Sequence, residues 1–457
     1  MGQVTYEEAC EYILDIPKFA GKHTLADTKE MLGRLTGSRI ESKIIHVAGT
    51  NGKGSVCAYL QSILRTAGFH VGMFISPHLE TMRERILYDG EMIPQESFVK
   101  TFELVREESD RQKEKHPSFF EFLFLMGMCY FKEKEPDYII LETGLGGRLD
   151  ATNCIAKPKL CVITEIGFDH MQYLGNTLVE IAGEKAGIIK PGTPVVYLDK
   201  RKETSRVIEQ TAAVLETPAI AVKKSQIGRP VMRKKSIDFS FGNGYYRYDN
   251  LILRTTAAYQ TEHARICSIL RKAAEARGIS TENASVALVA ARSLKEERID
   301  DEAVRKGLYD AFWPGRMEEI LPRVFLDGAH NEDGIEAFLT SVSAANTEQE
   351  KAAGKRLLLF GVVADKQYDK MIGRIAASQL FSHIAVTVLA SDRSASIDKL
   401  KVAWAQYKTA DCSFHESAEE AFHYIQSIQK EADTIYIAGS LYLVGQIKTL
   451  VRRTPDD

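Results

Sequence analysis

The stretch Gly49-Thr-Asn-Gly-Lys-Gly-Ser55 packs glycines, a lysine and hydroxyl side chains into one short loop. Glycines at 49, 52 and 54 permit tight turns with positive φ, so that successive backbone N–H groups can face one centre. An anion belongs at such a centre: Lys53 can reach the β and γ phosphates of a nucleotide, and the Ser55 hydroxyl can meet Mg²⁺. An ordinary strand-to-helix turn rarely concentrates these residues, which favours nucleotide binding. The common Walker pattern wants glycine six residues before the lysine and Ser or Thr directly after it. Here those places hold Val47 and Gly54, so the loop is not that of general ATPases or GTPases.

Other residues capable of chemistry end apolar runs. Glu142 follows Tyr138-Ile-Ile-Leu141, where open α/β sheets place their ligands, and a carboxylate there suits a hard cation. The other reading is a buried structural glutamate. Ser76, after Gly72-Met-Phe-Ile75, fits a metal-bound hydroxyl or a capping or turn serine. His170, after Gly167-Phe-Asp169, and Lys185, in Glu184-Lys-Ala-Gly187, carry little by themselves. A lone histidine is more often a satisfied polar residue, and a lone lysine belongs on a solvated face.

The elements that must position these groups follow from periodicity. Ile44-Ile-His-Val-Ala48 is a β-rich run, and Val56, Leu60, Ile63, Leu64 and Ala67 recur at helical spacing, which predicts strand, loop and helix. The runs at 138–142 and 160–166 read as further buried parallel strands. A basic stretch (Lys223, Lys224, Arg229, Arg233, Lys234, Lys235) then precedes Phe239-Ser-Phe-Gly-Asn-Gly-Tyr-Tyr246, an Asn-Gly turn between aromatic runs that predicts a hairpin with a solvated, charged edge. A helical stretch is expected from about 283 to 311. Apolar strands at 324–326, 357–361, 384–389 and 434–438 alternate with helical periods, the pattern of a second, smaller parallel α/β domain. Proline and glycine in Trp313-Pro-Gly-Arg316 interrupt the helical pattern, giving expected domains 1–312 and 313–457.

At 457 residues two domains are the default. A composition of 44% hydrophobic and 26% charged residues argues against extensive disorder. The formal net charge of -3 leaves no basic footprint for nucleic acid, so an anionic ligand must be held by local groups. Seven cysteines without a C-x-x-C pair read as reduced, mostly buried thiols. Neither a leader nor a membrane-length apolar segment is visible. A cytoplasmic protein with no nucleic-acid or membrane partner is expected.

Gly49–Ser55 resembles the shortened phosphate loop of the Mur ligase superfamily, and specifically of the folylpolyglutamate synthase/dihydrofolate synthase family. Ser76-Pro-His-Leu79, Arg83-Glu-Arg-Ile86 and Phe119-Phe-Glu-Phe-Leu123 are similar to that family's S-P-H-L, E-R-I and F-E-F-L segments. Glu142-Thr-Gly-Leu-Gly-Gly-Arg-Leu-Asp-Ala-Thr-Asn153 resembles its G-L-G-G-R-L-D-A-T-N signature nearly residue for residue. The blocks around Ile163–His170, Leu174–Asn176, Glu184–Gly192, Trp313–Arg316, Leu326–Asn331 and Gly439–Leu443 match in order, so the resemblance spans most of the chain.

The resemblance implies an α/β fold: a Mur-ligase-like P-loop ATPase domain with a parallel central sheet and a small β-hairpin region, then a smaller Rossmann-like C-terminal domain. It implies a monomer that joins L-glutamate to the γ-carboxylate of a folate through an acyl phosphate made from ATP, with two Mg²⁺ sites; many bacterial members of the family also take dihydropteroate as acceptor, an activity the sequence leaves open for this chain. By the same resemblance Gly49, Thr50, Asn51, Gly52, Lys53, Gly54 and Ser55 hold ATP. Ser55, Ser76 and Glu142 hold one metal ion, and His170 holds the second. Lys53, Glu142, His170 and Lys185 form the catalytic set, with Lys185 carbamylated by CO₂. Arg316 and Asp327, with His330 nearby, contact ATP from the second domain, and Ser76, Pro77 and Arg83 face the folate.

One pattern departs from the family. Its G-x-H-Q-x-x-N-A segment is split here between Ala258–Ala264 and Glu282–Leu288, so the nucleotide-contacting residue is either Asn283 or His263, with Asn283 expected. Two alternatives stand beside this reading. Another Mur-type ligase acting on cell-wall precursors would carry an additional N-terminal domain, for which the phosphate loop lies too early. A catalytically silent nucleotide-binding regulator would have lost Glu142, His170 or Lys185, and all are present.

Overall fold

The structure, a computed structural model, describes residues 4–17, 23–37, 40–111, 115–232, 236–254, 280–312, 314–315, 317–344, 354–364, 366–391, 393–407 and 411–452. Trp313, Arg316 and the segment holding His263 therefore lie outside the described residues. Two compact units form, the first from the described residues of 1–167, 171–224 and 283–311, the second from those of 168–170, 225–282 and 312–457.

The first unit is built on strands β1 (Lys43–Ala48), β2 (Val71–Phe74), β3 (Ile86–Tyr88), β4 (Glu91–Met92), β5 (Tyr138–Glu142), β6 (Leu160–Ile163), β7 (Val195–Asp199) and β8 (Ala219–Lys223). They form one sheet in the order β4-β3-β2-β5-β1-β6-β7-β8, parallel except for β3, which pairs antiparallel with both β2 and β4 near one edge. Every residue of β5 is buried, as expected for a parallel strand with helices on both faces. On one face Ile44, Phe74, Ile139 and Leu141 pack against the helices Tyr6–Asp15, Leu25–Thr36, Gln95–Asp110 and Phe119–Lys134. Further along the same face, by the strand register, Ala48, Cys161, Ile163, Val195 and Tyr197 pack against Leu178–Ala186 and Lys202–Val214. The chain leaves β1 towards β2 and β5 on one side and then crosses to β6 on the other. At such a reversal the C-terminal strand ends open a crevice for ligand.

In the second unit β9 (Val231–Met232), β10 (Ser236–Gly242) and β11 (Arg247–Arg254) form an antiparallel sheet that contains the predicted hairpin. Its turn is closed by Asn243 Oδ1, which accepts from the amides of Tyr245 and Tyr246 at 2.9 and 2.7 Å. Strands β12 (Glu318–Leu321), β13 (Val324–Leu326), β14 (Arg356–Gly361), β15 (His383–Thr387), β16 (Asp411–His415) and β17 (Thr434–Ala438) form the predicted second α/β sheet, in the order β12-β13-β17-β14-β15-β16. Phe325, Phe338, Phe360, Trp404 and Tyr436 fill its core.

Two expectations change. The helical stretch from about 283 to 311 is two helices, Thr281–Ser293 and Asp301–Asp310. Lys295 takes a left-handed φ of 57° between them, and Asp300 Oδ1 caps the second by accepting from Ala303 N at 2.8 Å. Strand β16 escaped notice because Asp411, Ser413 and His415 give an edge strand no apolar run. Among the described residues no helix is long and apolar enough to cross a membrane. Cys57, Cys129, Cys154 and Cys161 are buried free thiols.

Candidate active site

Gly49 follows β1, and Lys53 opens the helix Lys53–Thr66 behind the left-handed N-cap Gly52, whose φ is 87°. The end of β6 moulds this loop. Thr50 N donates to Glu165 O at 2.7 Å, Thr164 Oγ1 donates to Asn51 O at 2.7 Å, and Thr50 Oγ1 accepts from Gly167 N at 3.1 Å. The approach is so close that a Cβ on Gly49 would lie 1.8 Å from Thr164 Oγ1. Lys53 Nζ folds back to donate to Gly49 O and Thr50 O at 3.0 and 3.2 Å. The buried Lys185 reaches the same Gly49 O with its Nζ at 2.9 Å. Ser55 is buried in the first helical turn, beside Gly54. The side-chain amide of Asn283 packs on the loop, where a Cβ on Gly52 would meet its Oδ1 at 2.4 Å.

Glu142 is brought to this loop by strand register, because Val47 of β1 is its partner on β5. The carboxylate is buried, and its Oε2 accepts from Ser76 N at 3.0 Å. Buried carboxylates need such partners or a cation, since losing hydration is costly. Burial, and then the field of Glu142, push the Cys57 thiol well above its ordinary range while Lys53 pulls it down, so both charges act on this thiol.

The loop after β2 is braced by its own side chains. The Glu84 carboxylate accepts from the amides of Leu79, Glu80 and Thr81, each at 2.8 Å, and the Ser76–Pro77 peptide is cis. Arg85, buried with its guanidinium 5.2 Å from the Phe119 ring centre, donates through Nε to His78 Nδ1 at 2.8 Å. Burial and then Arg85 bring the His78 imidazole down to about 3, so it is neutral around pH 7. Arg83 Nε donates to Ile93 O at 2.6 Å. Ser76, Pro77 and Arg83 thus lie on one braced loop.

Sequence reasoning overlooked Asp150, Glu84 and Lys366. Buried Asp150 accepts from Gly144 N, Leu145 N and Thr152 N at 2.8, 2.9 and 3.0 Å, which fixes the turn after Glu142; burial raises its carboxyl and these bonds oppose the rise. Lys366 is in the second unit, where its Nζ pairs with Asp169 at 2.5 Å and lies 3.4 Å from His170 Nε2. Burial raises the Asp169 carboxyl, but Lys366, His170 and His330 outweigh it and hold the group below the usual range. His170 has a left-handed φ of 49°, uncommon without glycine, and its N–H donates to Asp169 Oδ1 at 2.9 Å. The position of Lys366, just beyond the C-terminal end of β14, is the signal that could have found it. Asp327 accepts from Met317 N and Ala329 N at 3.1 and 2.9 Å, and His330 Nδ1 donates to Gly328 O at 2.8 Å.

Among the described residues no group of three or more His, Cys, Asp or Glu side chains is placed to hold a metal ion. The donor set expected for a metal ion, the Glu142 carboxylate with the hydroxyls of Ser55 and Ser76, is all oxygen. It fits Mg²⁺, which binds through one or two carboxylates and completes its shell with phosphate and water.

The chain is similar to known proteins over nearly its whole length. Residues 47–226 match the Mur ligase middle domain, and residues 315–441 the Mur ligase glutamate ligase domain. A dihydrofolate synthase/folylpolyglutamate synthase of Bacillus subtilis (strain 168) is 33% identical over 460 residues, spanning 97% of this chain and 98% of the relative. The Mycobacterium tuberculosis folylpolyglutamate synthase complexed with ADP superposes with a TM-score of 0.84 at 25% identity, covering 99% of each chain. E. coli FolC in complex with DHPP and ADP gives 0.82 at 25% identity, over 99% of this chain and 100% of that one. Through its short phosphate loop, its sheet order and these end-to-end matches, the chain belongs to the folylpolyglutamate synthase/dihydrofolate synthase family of Mur ligases, ATP-dependent enzymes that form a carbon–nitrogen bond.

Proposed function

We propose that this chain uses ATP to join L-glutamate to the γ-carboxylate of a reduced folate, and that it also accepts dihydropteroate. The observation that carries this reading is the meeting of Lys53 Nζ and Lys185 Nζ on one carbonyl, Gly49 O, at 3.0 and 2.9 Å. Both side chains thus converge on the phosphate loop at a helix N-terminus, where Lys53 supplies the positive charge that a transferring phosphoryl group needs.

In the proposed reaction the loop amides and Lys53 hold the β and γ phosphates. An oxygen of the folate carboxylate attacks the γ-phosphorus, the bond to the β-phosphate oxygen breaks, and ADP leaves. The glutamate amine then attacks the acyl carbon, a C–N bond forms, and inorganic phosphate departs with the former carboxylate oxygen. Glu142, Ser55 and Ser76 would hold Mg²⁺, which neutralises and aligns the phosphates. The braced loop bearing Ser76, Pro77 and Arg83 would receive the folate. Carbamylation of Lys185 would exchange one of two neighbouring ammonium groups for an anion, which removes their repulsion. His170 carries the second-metal reading by family resemblance alone: imidazole is not a preferred magnesium donor, and no step is routed through it. Arg316, Asp327 and His330 are the proposed ATP contacts of the second domain.

Purified protein with MgATP, tetrahydrofolate and L-glutamate is expected to release phosphate, and to release none when the folate is omitted. Replacing the folate by dihydropteroate should restore release. Phosphate release that ignores both pterin compounds would remove the substrate assignment.

Asn283, packed on Gly52, is proposed to contact the nucleotide. Asn283→Ala should raise the KM for ATP about tenfold, the worth of one hydrogen bond to a charged group, and change kcat less. An unchanged KM for ATP would return the role to another residue.

A further inference from the structure

The segment following Glu142 is fastened to the helix that carries Lys185. Arg148 N donates to Glu184 O at 2.8 Å, satisfying one of the carbonyls that a helix end leaves over. Asn153 Nδ2 donates to Arg148 O and Gly187 O at 2.9 and 3.2 Å, tying both sides of the junction together. The backbones approach so closely that a Cβ on Gly147 would lie 2.9 Å from Glu184 O and 3.0 Å from Lys185 O. A Cβ on Gly187 would lie 2.4 Å from Arg148 Cβ. Outside, the Arg148 guanidinium grips Glu184 with Nη2 at 2.7 Å and Nε at 3.2 and 3.3 Å.

All of these contacts converge on residues 184–187, and the one side chain of that turn reaching the phosphate loop is Lys185, with Nζ 2.9 Å from Gly49 O. A hydrogen bond of that length fails if its donor retreats by an ångström, so the height of this helical turn sets whether the amine arrives.

We propose that Gly147, Arg148 and Asn153 are positioning residues that lock the last turn of the helix Leu178–Ala186 and thereby deliver Lys185 to the phosphate loop. The proposal rests on the reading of Lys185 as a residue of the catalytic set. It gives the glycine-rich signature a second duty, since the strand that ends in Glu142 also sets the reach of a lysine on a separate helix.

The test is a double-mutant cycle in the full chain between Asn153→Asp and Lys185→Ala. Asn153→Asp is nearly isosteric and turns two N–H donations into contacts between oxygens. Turnover is normalised to ADP-binding sites counted by calorimetry, so that unfolded protein does not register as slow protein. Asn153→Asp should lower kcat per site about 100-fold, the scale of a displacement near 1 Å, with the KM for ATP within about threefold of the parent. In the Lys185→Ala background the same substitution should lower kcat no further, because the two act as one unit. Losses that multiply, or an Asn153→Asp kcat within about threefold of the parent, overturn the positioning role. A Lys185→Ala variant as active as the parent overturns the reading of Lys185, and the proposal with it. Should Asn153→Asp not fold, Gly147→Ala enters the same cycle with the same expected outcomes.

Discussion

Lys53→Ala is expected to lower kcat about 100- to 1,000-fold at saturating ATP, folate and glutamate. The part-buried Lys53 Nζ is held by two carbonyls of its own loop, at 3.0 Å from Gly49 O and 3.2 Å from Thr50 O. The cation is thus already placed at the mouth of the helix Lys53–Thr66. Phosphoryl transfer depends on positioning and on neutralising charge spread over the phosphate oxygens, so a preplaced cation acts most strongly in the transition state. ADP affinity, which lacks that developing charge, should fall by less than turnover does. Lys53→Arg should recover little, because a planar guanidinium cannot occupy a point between two carbonyls of a tight loop. Phosphate-release kinetics alongside ADP calorimetry separate the two effects. A Lys53→Ala enzyme with kcat within about threefold of the parent would end the assignment of this loop as the ATP site.

The legible part of this site is the part whose chemistry is local. Gly49 and Gly52, with φ of 154° and 87°, announce a loop that favours glycine, whereas Gly54 is already helical, and apolar runs announce β1, β5 and β6 around it. Less legible is what depends on register and distance. Nothing in the sequence pairs Val47 with Glu142, aims Lys185 at Gly49 O, or lays the Asn283 amide on Gly52, because strand pairing and helix packing join residues far apart along the chain. Asp150 was read only as a letter in a signature, yet it works as an acceptor for three backbone amides, a role that any carboxylate could fill and that no pattern advertises. Strand β16 and the break at Lys295 were missed for the opposite reason: an edge strand needs no apolar run, and a left-handed break needs no glycine when Asp300 recaps the next helix.

Glu142→Gln separates the two readings that the sequence left open for this residue. If Glu142 is a structural carboxylate, its worth lies in the charge-assisted bond from Ser76 N at 3.0 Å. Weakening that bond would then cost about 1–2 kcal/mol of stability and leave the magnesium requirement alone. If it is the carboxylate that holds Mg²⁺, the glutamine can still accept from Ser76 N, and removing a buried charge leaves the melting temperature unchanged or raised. Turnover should then fall about 1,000-fold, corresponding to several kcal/mol of lost charge stabilisation, and half-saturation should need about ten- to 100-fold more Mg²⁺. Thermal melting and a magnesium titration of kcat, run on the same protein, give opposite patterns for the two roles. The metal-holding pattern is the expected one: Glu142 is buried at the C-terminal end of β5, next to the phosphate loop, and Lys53 and Lys185 already meet at Gly49 O. A purely structural glutamate would not need to stand where phosphate charge accumulates, and a variant that melts lower yet keeps its magnesium dependence would show that it does no more than brace Ser76.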